Sequence, residues 1–312
     1  MPSLFKKILL FKICKAEINY KRLNPRNWPR PSFKKIIKGL AFLVIFLAAL
    51  IILRDEYYYQ TSYSSYDLEG EVSEDGEEEE DCNVLGIELH GDVVTYVAPY
   101  GEDDDGNTIV DEAASEEITY LIDQAEDDED IKAIMLEVDS YGGMPVAAEE
   151  ISEALRRAAK PTVALVRSAA VSAAYFAASG ADTIFASALS DIGGIGVSMS
   201  YLDSAKKNEK EGLTYNSLSV GKFKDYGDPD KPLTAAEREV LTRDLNIIYN
   251  LFIEAVSQNR NLPIEKVRLL ADGSSMPGQL ALENGLIDRL GGMAEVEDYL
   301  KEKIGEDVSL CW

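Results

Sequence analysis

Three short runs limit what this chain can fold into: Ile131–Val138 (IKAIMLEV), Pro161–Val166 (PTVALV) and Thr183–Ala186 (TIFA). Each is largely apolar, β-rich and too short for a buried helix, so each reads as a strand covered on both faces. Between and after them lie helix-compatible stretches, at 116–126, at 145–159 (PVAAEEISEALRRAA) and at the small-residue segment 172–179. Such alternation implies parallel βαβ units with right-handed crossovers. A β-rich run at Asn83–Val94 opens the series, and Ile195–Met199 is expected to continue the sheet. A long helix is expected over 234–258, where Thr234 is followed three positions on by Glu237, the pattern of a capping box. No internal repeat is visible, and a single α/β domain is expected over 83–312.

Upstream of residue 83 the composition changes. The formal net charge is -25, yet residues 1–54 carry twelve Lys or Arg against the single acid Glu17. Gly39–Leu53 is an unbroken apolar run, with Ile36 and Ile37 just before Lys38. About 18 residues rising about 1.5 Å each span about 27 Å, close to the hydrocarbon thickness of a bilayer. The expectation is a basic cytoplasmic tail at 1–35 and a transmembrane signal anchor at 36–54 in contact with the lipid bilayer. By the positive-inside rule the rest of the chain lies outside a cell membrane that it crosses once. A cleavable signal peptide fits less well, because the basic region is long and no small-x-small site follows the run. Residues 55–82 are acidic, polar and without apolar periodicity, so they read as a flexible, disordered acidic linker. A body this acidic repels polyphosphate, and nucleic acid is not expected as a partner.

Few residues are available for chemistry. Cys82 and Cys311 fall on the expected outer side, where a disulfide is permitted but not required, and no cysteine spacing matches a metal motif. Asp103, Asp105, Gly106 and Glu112 sit at spacings reminiscent of a calcium loop, but Gly101 stands where the first ligand belongs, so an acidic surface loop is expected. In a βαβ protein chemistry gathers after strand C-termini. Two such places stand out: Asp139-Ser140-Tyr141-Gly142-Gly143, and the segment around Ser172. Ser172 reads either as a nucleophile or as a plain helix N-cap. A nucleophilic serine needs a base, and the single histidine, His90, lies inside the first strand. The remaining option is a lysine: in Gly221-Lys222-Phe223-Lys224-Asp225, strand alternation would put Lys222 and Lys224 on one side.

Five segments, in order, resemble the signal peptide peptidase A (protease IV) family of serine peptidases: DSYGG (139–143), SAAVSAAYFAASGADTIFA (168–186), SDIGGIGV (190–197), GKFKDYGDP (221–229) and ADGSSMPGQLALENGLIDRLGG (271–292). The likeness covers about residues 83–300. It implies an α/β crotonase/Clp-type fold, a spiral of stacked βαβ units, and amide hydrolysis through an acyl-enzyme. It makes Ser172 the nucleophile and Lys224 the general base, with oxyanion N–H groups from Gly143 and Ala173, and it requires no metal or organic cofactor. It also implies peptide substrates at the membrane, such as signal-peptide remnants, and a homo-oligomeric ring or dome in which Ser172 and Lys224 could come from neighbouring chains. Tyr141 replaces the proline of the family's Ser-Pro-Gly-Gly turn, and Ala173-Ala174 replace a glycine pair. Two readings compete: an inactive crotonase-like scaffold that binds membrane proteins, and a crotonase-type acyl-thioester enzyme. Retention of both Ser172 and Lys224 weighs against the scaffold. Coenzyme A esters are cytosolic, which weighs against the thioester enzyme for an exported domain.

Overall fold

The computed structural model describes residues 82–97 and 112–312. In chain order its elements are β1 (Val84–Val94), β2 (Glu112–Ala114), α1 (Ser115–Asp127), β3 (Ala133–Gly143), α2 (Pro145–Arg157), β4 (Thr162–Val171), α3 (Ala173–Ala178), β5 (Thr183–Ala186) and β6 (Asp191–Gly193). Then come α4 (Ala205–Lys210), α5 (Ala235–Asn259), α6 (Ile264–Leu270), β7 (Ser275–Pro277), α7 (Gly278–Asn284), β8 (Arg289–Leu290), α8 (Met293–Ile304) and β9 (Leu310–Cys311). The tail at 1–35, the anchor at 36–54, the linker up to residue 81 and the loop over 98–111 lie outside the described residues. Among the described residues no helix is long and apolar enough to cross a membrane.

The main sheet runs β2-β1-β3-β4-β5-β8, with β9 on β1 and β6 on β4. Every pairing is parallel except β6 with β7. Alternation within the strands sorts the side chains onto two faces. Ile87, Leu89, Leu136, Val138, Ala164 and Val166 belong to one buried cluster with Ile122 of α1, Ile151 of α2 and Tyr175 of α3. Ala133, Met135, Val163, Leu165 and Phe185 point the other way, to Val296 and Leu300 of α8. Fully burying one such side chain stabilises by about 1.5–3 kcal/mol, which is why both faces are covered. Tyr175 is wholly buried, and its hydroxyl donates to the Leu286 carbonyl at 2.8 Å, so the polar group is satisfied as the ring is buried.

The three expected runs are strands, and β3 and β4 run further than expected. DSYGG is the end of β3 and not a loop: it stays paired through Gly143 to Val93. Both its neighbours slip here. β1 shifts register between His90 and Asp92, and β4 carries extra residues where Val138 pairs Val166 but Ser140 pairs Ala170. Two other expectations are corrected. Ile195–Met199 does not continue the sheet, because Gly193 at φ 99° and Gly194 at φ 60° turn the chain out of the ladder. Residues 221–225 are a turn, with Gly221 at φ 108° and the Lys224 N–H donating to the Gly221 carbonyl at 3.2 Å.

The domain also closes on itself. Cys82, assigned to the linker on composition, belongs to the fold and is disulfide bonded to Cys311, with Cα atoms 5.7 Å apart. β9 pairs with Val84 and Leu85, and the Asn83 side chain bonds the Asp307 carbonyl and the Ser309 N–H, both at 2.9 Å. The bridge closes a loop between residues 229 positions apart. Opening it, by Cys311→Ser or by reductant, should destabilise the domain by roughly 3–5 kcal/mol, chiefly through the entropy regained by the unfolded chain. Urea unfolding of the oxidised protein, the reduced protein and the variant measures this; coincident midpoints would show that the strand contacts alone hold the end of the chain.

Candidate active site

Ser172 stands between the end of β4 and the start of α3 with φ 55° and ψ -123°. Among the described residues only one other non-glycine, Asn261, has positive φ. Such a conformation costs on the order of 1–3 kcal/mol and persists only where the surroundings hold it. Two hydrogen bonds do so: the Ser172 N–H donates to the Gly193 carbonyl at 2.8 Å, and its own carbonyl accepts from the Phe176 N–H at 3.0 Å. An ordinary N-cap serine has an extended backbone and turns its hydroxyl onto the helix. Ser172 has neither property, since its side chain makes no capping bond. Ser172 therefore sits on a sharp strand-to-helix turn without making an N-cap bond to α3.

Glycines let other segments close around it. A Cβ on Gly142, at φ 117°, would stand 3.0 Å from Ser172 Cβ and 3.1 Å from the Ala173 nitrogen. A Cβ on Gly194 would stand 2.5 Å from Val171 Cγ1 and 3.2 Å from the Ser172 nitrogen. The end of β3 and the turn after β6 can therefore press on the serine from two sides only with hydrogen as their side chain.

The result is a cleft of about 510 Å³ whose lining includes Ser172, Gly143 and Ala173, three of the four expected site residues. Its apolar part includes Pro145, Val171, Phe176, Ile248 and Phe252. The Phe176 and Phe252 rings stack with centroids 5.0 Å apart and planes at 11°. Tyr141, 70% exposed, also borders the cleft. Ile248 and Phe252 went unassigned in the sequence, although their spacing of four along the expected helix marks one apolar face.

Lys224, the fourth expected residue, is elsewhere. It is exposed, it does not line the cleft, and residues 198–236 include no buried residue at all. Lys222 is no closer to the role: its Nζ lies 4.7 Å over the Phe223 ring. His90 does not line the cleft either. Its Nε2 is 3.3 Å from Glu137 Oε1 and its Nδ1 is 3.9 Å from Glu88 Oε2, beside a separate cavity of about 400 Å³.

Comparison with known proteins bears on this arrangement. The model of peptidase family S49 matches residues 154–307, a span that holds Ser172, Ala173 and Lys224. Residues 154–307, just under half of the chain, are thus similar to peptidase family S49. A putative protease of Methanocaldococcus jannaschii is 34% identical over 176 residues, covering 56% of this chain and 56% of that protein. The putative signal peptide peptidase SppA of Enterococcus faecium is 32% identical over 55% of this chain and 51% of its own length. The chain thus spans about half the length of these relatives. Among solved structures, a ClpP1 mutant from Listeria monocytogenes aligns with 67% of this chain at 10% identity and a TM-score of 0.42, a likeness too loose to carry weight.

In this domain the exposed arm that bears Lys224 is pinned where α5 begins. The Glu237 carboxylate accepts from the Thr234 N–H and hydroxyl, both at 2.9 Å, and pairs with Lys231, while Thr234 Oγ1 accepts from the Glu237 N–H at 3.3 Å. The capping box expected at this position is present. The Lys231 hydrogen bond first, then the Thr234 bonds, hold the Glu237 carboxyl well below the usual range, down to about 2. A depressed pKa stabilises the fold fully above the unfolded value, and that contribution disappears as pH falls through the folded one. Melting temperatures of wild type and Glu237→Gln should therefore differ most above pH 5 and converge between pH 4.5 and about 2. A gap that stays constant across that window would remove the ionised carboxylate from the account.

Proposed function

We propose that the chain is a membrane-anchored serine endopeptidase that uses Ser172 and Lys224 as its catalytic pair. The observation that carries the reading is the strained Ser172 turn, with an uncommitted capping role, at the edge of a cleft lined by Gly143 and Ala173. Ser172 Oγ attacks the scissile carbonyl and its proton passes to the Lys224 amine. The Gly143 and Ala173 N–H groups hold the oxyanion; donors set in advance can supply several kcal/mol because they need not reorganise. Collapse breaks the C–N bond, Lys224 returns the proton to the leaving amine, and water hydrolyses the resulting ester by the same proton route. The apolar cleft wall suits an apolar substrate side chain, as in signal-peptide remnants or other membrane-associated polypeptides. The stacked βαβ spiral of crotonase/Clp type is part of the same reading.

The position of Lys224 is then explained by assembly. The arm exposes Leu202, Leu213, Leu218 and Val220 at 59–100%, large apolar side chains left uncovered in a single chain. A ring or dome of identical subunits would cover it and deliver each Lys224 to a neighbour's Ser172. An amine buried in that interface is also better placed to act unprotonated, since desolvation disfavours the ammonium form.

The test is complementation. Ser172→Ala and Lys224→Ala should each abolish hydrolysis of an apolar peptide, while Lys222→Ala keeps most of it. Mixing the two inactive proteins under exchange should restore up to about a quarter of wild-type activity, the statistical share of intact pairs in a symmetric assembly. No recovery would place the pair within one chain or remove it. The unassembled Ser172 and Lys224 of a single chain also suit an inactive scaffold, and absence of Ser172 labelling by a fluorophosphonate in the full assembly would establish that instead. For topology, protease added to intact cells should remove the domain and leave the basic tail of residues 1–35; a protected domain would overturn the placement outside.

A further inference from the structure

We propose that Ser140 is a positioning residue for the oxyanion hole, a role that rests on the serine-peptidase reading of Ser172. Ser140 is 2% exposed, one of few buried polar side chains in the domain. Its hydroxyl donates to the Gly91 carbonyl at 2.6 Å and accepts from the Gly142 N–H at 3.0 Å. Both partners result from irregularities in the sheet. Gly91 has φ 70° and lies in the register shift of β1 between His90 and Asp92. The extra residue lies in β3, where Ser140 and Tyr141 stand opposite Gly91 alone, and this sets the Ser140 hydroxyl against the Gly91 carbonyl. Gly142 is the residue packed against Ser172 Cβ and the Ala173 nitrogen.

The consequence concerns which N–H groups remain available. Gly142 and Gly143 both stand beside the serine, and each carries an amide N–H. Ser140 occupies that of Gly142 and in doing so fixes the Tyr141–Gly142 peptide, one step before the peptide that bears the Gly143 N–H. The strand beyond is held from the other side, where the Met144 N–H donates to the Val93 carbonyl at 2.7 Å. Gly143 thus lies between two anchors and lines the cleft with Ala173, the two residues whose N–H groups this reading assigns to the oxyanion. Without the Ser140 hydroxyl, the Gly142 N–H would lose its acceptor at 3.0 Å, and this peptide would be free to rotate. Rotation would carry Gly143 with it. The role is distinct from core packing, because Ala at 140 would fill nearly the same volume.

Ser140→Ala tests this in the full-length protein. The variant should keep KM within about threefold of wild type and lose about 10- to 100-fold in kcat, less than the complete loss of an oxyanion donor. Its affinity for a peptide aldehyde, whose adduct places an oxyanion in the same hole, should fall in parallel with kcat. Its affinity for the non-covalent product peptide should not change. Unchanged kcat, or equal weakening of aldehyde and product, overturns the proposal. Should the variant fail to fold, the wild-type aldehyde adduct decides by its structure. The adduct oxygen should accept from Gly143 and Ala173 while the Gly142 N–H stays on Ser140 Oγ, and an oxygen bonded to the Gly142 N–H overturns the role. Wild type that hydrolyses no peptide and takes no fluorophosphonate would bring down the peptidase reading and this inference with it. An active wild type with an equally active Ser140→Ala brings down the inference alone.

Discussion

Parallel strands β1, β3 and β4 keep strict register for most of their length and lose it together near Ser140, where β3 carries one residue more than β1 opposite Gly91 and β4 inserts residues beyond Val166. Everything at the site follows from that loss. Regular pairing would spend every backbone N–H and carbonyl of β3 on its neighbours. Slippage on both sides sets side-chain bonds beside the ladder, the Ser140 hydroxyl to the Gly91 carbonyl and the Gly142 N–H to the Ser140 hydroxyl, before Met144 bonds Val93. The β4 insertion carries the chain past Ala170 into the strained Ser172 turn, which β6 supports through the Gly193 carbonyl. The strain at Ser172 persists because apolar packing behind it leaves α3 nowhere to relax, all six of its residues being buried.

The arm over 198–236 obeys a different physics. It has polar turns and local bonds, such as Ser217 to Asp225 and Tyr215 to Asp228, but it contributes nothing to the core. One end leaves through Gly194, the other is pinned by the Thr234–Glu237 box, and α5 then returns Phe252 to the cleft floor. The segment bearing the lysine is thus anchored at both ends and unburied between them, as expected of a surface whose partner is another molecule.

How much of this was legible in the sequence depends on whether each feature is local. IKAIMLEV, PTVALV and TIFA announce strands because double-sided burial leaves an apolar run, and Thr234 with Glu237 announces a helix start because the box is four residues long. Ser172, Ala173 and Gly143 were reached through resemblance and do converge on one cleft, yet no pattern in residues 168–174 discloses a φ of 55°. The Gly221–Asp225 segment misled in the opposite way. Its alternation imitates a strand, but strand alternation needs a neighbouring strand, and Gly221 at φ 108° sets up a turn where none exists. Ser140 was legible only as part of a motif. One of its two hydrogen bonds goes to Gly91, 49 residues away, and depends on a register shift between β1 and β3 that local sequence cannot encode.

The Cys82–Cys311 bridge joins a matter of stability to one of location. Disulfides persist in oxidising compartments and are rare where thiols are kept reduced. Composition alone favoured unpaired thiols, but the fold sets the two Cα atoms 5.7 Å apart and lays β9 along β1 to keep them there. This agrees with the placement proposed from the basic residues 1–54, on wholly separate grounds: one rests on charge beside an apolar run, the other on covalent chemistry at the opposite end of the chain. Wherever other proteases are present a domain gains from a covalent closure, because cleavage of an open form follows how often that form is populated. Closing the loop lowers that population by making the unfolded chain less disordered, and it leaves the cleft around Ser172 untouched.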